Sequence, residues 1–298
     1  MRSLDGDKLG FPTERWAELD RPTSGSGLAP VSVIVPTLNE AANIEPLVDR
    51  LARVLPAGSE VIFVDDSDDE TPAVIRSVQR RAGLTIRLIH RPPQRRSGGL
   101  GGAVATGLEV AHSPWACVLD ADLQHPPELI PRLLEQALRD GADLAIASRY
   151  RSTGVGFGGP AWLRSTLSRA LVTATRMLFW RRLRGVTDPL SGFFLVHATA
   201  IDCRALRPRG FKILLEILVR HPHLRTTEVS FQLAPRYAGR SKASLREGMR
   251  YLVHLAALRF SWPDRLGAAA RARERETGSG LQAPPRRQWR GEHEELGD

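Results

Sequence analysis

The sequence predicts an α/β fold on a largely parallel central sheet, and three observations carry that prediction. Five short β-branched or apolar runs, VSVIVP, EVIFVDD, IRLIH, WACVLDAD and DLAIASR, follow one another between residues 31 and 149. Segments with helical spacing or Gly-rich turns separate them. That alternation is the pattern of repeated βαβ units, whose crossovers set successive strands parallel.

The elements can be justified in order. After the first run, Asn39 to Leu55 opens on polar Asn-Glu and predicts a helix. Between the third and fourth runs, Ser97-Gly98-Gly99-Leu100-Gly101-Gly102 leads into AVATGLEVAH. GxGxxG spacing is not met directly after the first strand, and no acidic residue follows where a dinucleotide site needs one. The glycines are therefore expected to let a helix start close to the sheet or to a sugar diphosphate. Pro126 and Pro127 open a further helix to Asp140, with Gly141 just beyond as its stop. Ligands of such sheets bind beyond the carboxyl ends of the strands. The positions to examine are thus Pro36 to Glu40, Asp65 and Asp66, Asp120 to Gln124, and Ser148 to Tyr150.

Composition bounds the rest. A chain of 298 residues with 42% hydrophobic content can bury one substantial core. Residues 1–30 and 261–298 are rich in Gly, Pro, Ser and charge and read as flexible tails, leaving 31–260 as the folded domain. The net charge of +9 calls for a phosphate-bearing partner, whether nucleic acid, anionic lipid or nucleotide. Cys117 and Cys203 lack CxxC spacing, so neither a disulfide framework nor a zinc site is expected, and a reducing cytosolic compartment fits. No signal peptide and no run of spanning length is expected; the richest stretches, LVTATRMLFW and YLVHLAALRF, are short and carry Arg or His.

Asp120-Ala121-Asp122 closes the WACVLDAD run, and alternation along an extended chain would aim both carboxylates to one side, with Gln124 two residues on. Such oxygens suit Mg2+ or Mn2+, which would bridge a diphosphate. The tripeptide alone is equally read as an acidic strand end before a polar loop; its context favours the metal. Asp65 and Asp66 sit where ligands dock, whereas Asp68, Asp69 and Glu70 look like residues at a helix start. Residues 151–187 hold seven arginines and no acid, interleaved with Trp162, Leu163, Leu167, Leu171, Leu178, Phe179 and Trp180. That composition describes a helix in an anionic membrane interface and equally a core helix with an exposed Arg face. SLREGMRYLVHLAALRF is a second surface of this character. The loop Pro235 to Lys242 places Arg236 and Lys242 to close over a diphosphate, or is an ordinary solvated loop.

Taken together and in order, VSVIVPTLNE, FVDDSDDET, VLDADLQHPPELIPRL, ASRY, DPLSGFF, GFKILLEIL and EVSFQLAPRYAGRSK resemble the family 2 glycosyltransferases of the dolichol-phosphate or polyprenol-phosphate mannosyltransferase type. The match runs from about Val31 to Phe260. The resemblance implies a GT-A, Rossmann-like fold with amphipathic interfacial helices. It implies metal-dependent, inverting hexose transfer, with GDP-mannose the leading donor and a polyprenyl or dolichyl phosphate the acceptor. By position, Pro36, Leu38, Glu40, Val64 and Asp66 would line the nucleoside pocket. Asp120, Ala121, Asp122 and Gln124 would hold the metal and diphosphate, Asp120, Asp122 and Gln124 being the metal ligands. Arg149, Arg236 and Lys242 match phosphate-contacting positions, with Asp122 and Arg149 the catalytic pair. Arg164 and Arg169 fall in an RxxxSR stretch that meets the acceptor phosphate.

The chain departs from the family at Leu38, where Tyr is common, and at SDDET, which leaves the nucleotide open. A glucosyltransferase using UDP-glucose is the alternative donor reading, and a silent membrane-associated scaffold the alternative class. The expected setting is peripheral, on the cytoplasmic membrane face, with a separate anchoring protein possible. No nucleic-acid motif appears.

Overall fold

The computed structural model describes residues 28–79, 84–150, 171–208, 212–233, 255–256 and 258–259. One compact unit runs to Leu258 and carries everything below. In chain order its elements are β1 (Val31–Thr37), α1 (Ala41–Val54), β2 (Glu60–Asp65), α2 (Thr71–Gln79), β3 (Thr85–His90), α3 (Gly99–Val110), β4 (Trp115–Val118), α4 (Leu129–Asp140), β5 (Leu144–Ser148), β6 (Phe194–His197), α5 (Ile213–Arg220) and β7 (Thr226–Ser230). A helical stretch at 171–178 precedes β6.

The seven strands form one sheet in the order β3-β2-β1-β4-β6-β5-β7. All neighbours are parallel except β6, which runs antiparallel to both β4 and β5. Strands β1, β2, β4 and β5 are buried along their whole length, which is why they read as unbroken apolar runs. Val33, Val35 and Phe63 face one core with Ile44, Leu47 and Leu51 of α1 and Leu133 and Leu134 of α4. Ile34, Ile62 and Val64 face the opposite core with Val104 and Leu108 of α3 and Leu214 and Ile217 of α5. The result is a three-layer α/β/α sandwich, as the sequence predicts.

The predicted helices form with shorter starts. Helix α4 begins at Leu129, after a turn in which Leu129 and Ile130 donate to the carbonyls of Pro126 and Pro127 at 3.1 and 3.0 Å. Gly141 ends it with φ +58°, its amide bonding back to Ala137 and Leu138. The glycines of α3 serve close packing: a Cβ on Gly107 would lie 2.4 Å from Ile34 Cγ2, and one on Gly102 2.1 Å from the Ser97 carbonyl. This helix therefore rides directly on β1. Among the described residues no helix is long and apolar enough to cross a membrane.

At the amino end of the sheet, buried Glu60 accepts from the Ser32 hydroxyl (2.6 Å), the His112 amide (2.8 Å) and Arg87 (3.2 Å). Burial pushes its pKa up, but these bonds outweigh it and hold the carboxyl below its ordinary 4.5. A depressed folded-state pKa gives stability that is present above the unfolded value and lost as pH falls through the folded one. Glu60→Gln should therefore lower stability at pH 7, with the difference from wild type shrinking as pH drops below about 4.5; urea melts across that range would measure it.

Candidate active site

The chain order reverses between β1 and β4, so their carboxyl ends open a crevice at the topological switch point. Strand β4 stops at Val118, and Asp120 to Leu123 form a turn instead of continuing it. Strand alternation therefore does not aim the two carboxylates; the turn does. Leu123 takes φ +62°, a left-handed conformation costing about 1–3 kcal/mol. Its side chain is 1% exposed in the core, and that burial offsets the strain by about 2 kcal/mol. Gln124 N–H donates to Asp122 Oδ1 at 3.1 Å and Asp120 N–H to His125 Nδ1 at 3.1 Å. The loop is thus locked at both acidic residues.

His125 packs against Phe193 and Phe231. Burial, with Arg149 and Lys212 nearby, pushes its pKa down to about 4 despite the Asp122 carboxylate. The ring is therefore neutral, with its proton on Nε2 because Nδ1 accepts. Gly192 completes this wall: a Cβ there would stand 3.2 Å from both Asp120 Oδ2 and His125 Cε1.

Arg149 immediately follows β5. Its Nε and Nη2 donate to Asp188 Oδ2 and Oδ1 at 2.7 and 2.9 Å. Asp188 is wholly buried, so the fork is held in low dielectric. Burial opposes the guanidinium charge, but the Asp188 bonds more than offset it and raise the Arg149 pKa. Lys212, just before α5, donates to the Leu190 carbonyl at 2.9 Å. Burial and the Arg149 charge push its pKa down to about 8.

Asp120, Gln124, Arg149, Gly192 and Lys212 line one cleft of about 160 Å3. The structure thus brings together Asp120, Gln124 and Arg149, with Asp122 and Ala121 buried beneath in the same turn. The other predicted positions lie at the ends of β1 and β2, where Pro36 pairs in register with Val64. Val64 is fully buried in the core against α3, so its side chain belongs to packing. Glu40 accepts from Asn43 Nδ2 at 2.6 Å, and Leu38 is 42% exposed. Asp66 is engaged by Arg91, whose Nε and Nη2 donate to its two oxygens at 2.7 and 2.6 Å. Arg91 lies within the buried set and also reaches the Gly99 carbonyl at 3.0 Å, tying β2 to α3. Asp69 accepts from the Thr71 amide at the start of α2, whereas Asp68 pairs with Arg96. Arg164, Arg169, Arg236 and Lys242 lie outside the described residues, as do residues 151–170 and most of SLREGMRYLVHLAALRF.

Four residues of this constellation, His125, Asp188, Gly192 and Lys212, carry no role in the sequence reading. Asp188 and Gly192 stand in DPLSGFF and Lys212 in GFKILLEIL, so the family pattern contained the signal without the contacts.

A doubly wound sheet whose switch-point crevice holds an acidic turn opposite a forked arginine has the architecture of a GT-A glycosyltransferase. The chain belongs to the family 2 glycosyl transferases, whose family model matches residues 32–210. It is 35% identical over 239 residues to the dolichol-phosphate mannosyltransferase of Saccharomyces cerevisiae, covering 76% of this chain and 86% of that one. The dolichol-phosphate mannosyltransferase of Pyrococcus furiosus is 35% identical over 228 residues, 76% of this chain, which spans 63% of that longer protein. A polyprenol monophosphomannose synthase of Mycolicibacterium smegmatis is 30% identical over 225 residues, with coverage of 73% and 83%. Among solved structures, glucosyl-3-phosphoglycerate synthase of Mycobacterium tuberculosis, crystallised with Mn2+, UDP and glucosyl-3-phosphoglycerate, superposes with TM-score 0.56. At 20% identity, covering 89% and 88% of the two chains, it shares the fold.

Proposed function

We propose that this chain transfers mannose from GDP-mannose to a polyprenyl phosphate at the cytoplasmic face of a membrane, with inversion and with help from Mg2+ or Mn2+. The observation that carries the reading is one cleft uniting Asp120 and Gln124 with Arg149 and Lys212, on a chain whose relatives are named dolichol-phosphate mannosyltransferases and a polyprenol monophosphomannose synthase. The transferase domain spans 31–260, flanked by tails.

The residues fit a hard cation. Asp120 presents a carboxylate whose side chain is 39% exposed, the buried Asp122 stands in the same turn, and the Gln124 amide lines the cleft. A hard cation of this kind keeps waters and shares substrate phosphates, so a few protein oxygens suffice. Such an ion, held by Asp120, Asp122 and Gln124, supplies neutralisation of charge on the departing diphosphate.

The protein's own groups then hold two anions together. Arg149 and Lys212, joined by Arg236 and Lys242, draw donor and acceptor phosphates into the cleft, while Arg164 and Arg169 meet the acceptor. An acceptor phosphate oxygen attacks the anomeric carbon as the bond to the nucleoside diphosphate breaks. The phosphate monoester is already largely ionised near neutrality, so no general base is required. His125 is accordingly free to be structural, its Nδ1 lone pair spent on the Asp120 amide. Pro36, Leu38, Glu40, Val64 and Asp66 border the nucleoside, with Val64 contributing backbone and Asp66 acting together with Arg91.

Membrane contact is supported by the surface at the end of the helical stretch at 171–178 and just beyond it. Met177 and Trp180 are 71% and 62% exposed, Arg181 stacks over the Trp180 ring, and Arg176 and Arg184 are exposed beside them. Apolar side chains among arginines suit an anionic lipid surface, with or without a separate anchoring protein.

The deciding assay supplies radiolabelled GDP-mannose or UDP-glucose with polyprenyl phosphate in anionic or zwitterionic vesicles. The expected result is lipid-phase label from GDP-mannose, abolished by EDTA, restored by Mn2+ or Mg2+ and faster on anionic vesicles. Label from UDP-glucose alone would reassign the donor, and transfer indifferent to EDTA would remove the metal.

A further inference from the structure

We propose that Glu228, on the last strand of the sheet, is a positioning residue that aims the Arg149 guanidinium through Thr187 and Asp188. The proposal rests on the reading of Arg149 as a phosphate-binding group. Glu228 opens the EVSFQLAPRYAGRSK stretch, in which the sequence reading gave it no role.

The connection is continuous. Glu228 is 6% exposed. Its Oε1 accepts from the amides of Thr187 and Asp188 at 2.7 and 3.2 Å, and its Oε2 from the Thr187 hydroxyl at 2.7 Å. Two successive backbone N–H groups thus close on one carboxylate, the geometry of an anion nest. The Thr187 hydroxyl, having donated to Glu228, accepts from the Ser148 hydroxyl at 2.7 Å. Ser148 is the last residue of β5, so the chain of contacts returns to the residue before Arg149.

With the Thr187–Asp188 backbone fixed, the Asp188 side chain is presented to Arg149 at three points: the amide at 3.3 Å, Nε at 2.7 Å and Nη2 at 2.9 Å. The fork uses Nε and Nη2, so among the described residues the Nη1 edge of this cleft-lining guanidinium is the one turned away from Asp188. Two buried carboxylates near a site that must attract anions, neither of them lining the cleft, are electrostatically expensive. What they gain is direction: Asp188 fixes the plane of the guanidinium, and Glu228 fixes Asp188.

A double-mutant cycle on the full chain tests this. Glu228→Gln keeps a carbonyl oxygen for the two amides but sets an NH2 against the Thr187 hydroxyl, which must reverse. Glu228→Ala removes every acceptor. The expected losses in kcat are about 10-fold for Glu228→Gln and about 100-fold for Glu228→Ala, the scale set by small misplacements of a catalytic group. The loss should fall on kcat more than on KM, since the Arg149 charge that attracts the phosphates is kept and only its direction is disturbed. In an Arg149→Lys background, where the fork is gone, Glu228→Gln should cost no more than about two-fold. The same factor in both backgrounds, with Arg149→Lys itself impaired, would overturn the positioning role and leave the Arg149 reading standing. Wild-type turnover by Arg149→Lys would overturn both. Failure of Glu228→Gln to fold, read by thermal melting, would assign Glu228 to structure alone.

Discussion

Asp122→Ala abolishes sugar transfer, by about 1,000-fold or more, while the variant melts within a few degrees of the wild-type chain. The turn explains why the two effects separate. Asp122 is 7% exposed and its Oδ1 takes the Gln124 amide, so its loss strands one backbone donor at a cost of about 1–3 kcal/mol. Leu123 remains buried beside it and keeps the turn closed. The chemical loss is larger because, in the proposed reaction, the Asp122 carboxylate is one of the cation's ligands and alanine offers no oxygen in its place. Asp122→Asn isolates the charge: it can still accept from Gln124 N–H, and it should be as inactive as Asp122→Ala. Steady-state transfer assays with thermal melts check both variants. Turnover by Asp122→Asn near the wild-type rate would make Asp122 a turn residue and end its assignment to the metal.

Arg149→Lys lowers kcat by about 100-fold with a smaller effect on stability than Arg149→Ala. Lysine is a point charge without the planar fork that meets Asp188 at 2.7 and 2.9 Å. Its ammonium can still pair with Asp188, so the buried carboxylate keeps a counter-charge. Alanine leaves that carboxylate alone in the interior, costing about 3–5 kcal/mol, which would confuse a rate loss with unfolding. Single-turnover rates for the lysine variant, with melting curves for both, distinguish the contributions. A lysine variant at the wild-type rate would show that charge near Asp188 suffices and that the guanidinium has no directional part.

The parts of the fold legible in the sequence are those buried on both faces. Val31–Thr37 and Glu60–Asp65 are covered by a helical layer on each side, and continuous burial writes a continuous apolar run. Strands β6 and β7 escaped that reading for opposite reasons. Phe194–His197 is only four residues long, and Thr226–Ser230 is largely polar because Thr227 and Glu228 are buried on hydrogen bonds to Asp140, Thr187 and Asp188 instead of on apolar packing. At the proposed site, the placement of Asp120, Asp122 and Arg149 around one crevice is legible because each follows a strand. Asp188 and Glu228 were not, since their contacts to Arg149 and Thr187 span 39 and 41 residues. Asp66 marks the same limit. Its position at a strand end pointed to a ligand, and only the folded chain shows Arg91, 25 residues on, already gripping both oxygens.

The antiparallel strand β6 has a metric consequence. Because β6 lies between β4 and β5, the strand leading to Asp120 and the strand leading to Arg149 stand two interstrand spacings apart, about 10 Å. In the proposed reaction the departing diphosphate occupies one side of that interval and the attacking phosphate the other, with the hexose between. Backbone pairing fixes the interval, and side chains only decorate it. Substitutions along the walls can therefore change which sugar or which lipid is accepted while the reach from leaving group to nucleophile stays the same.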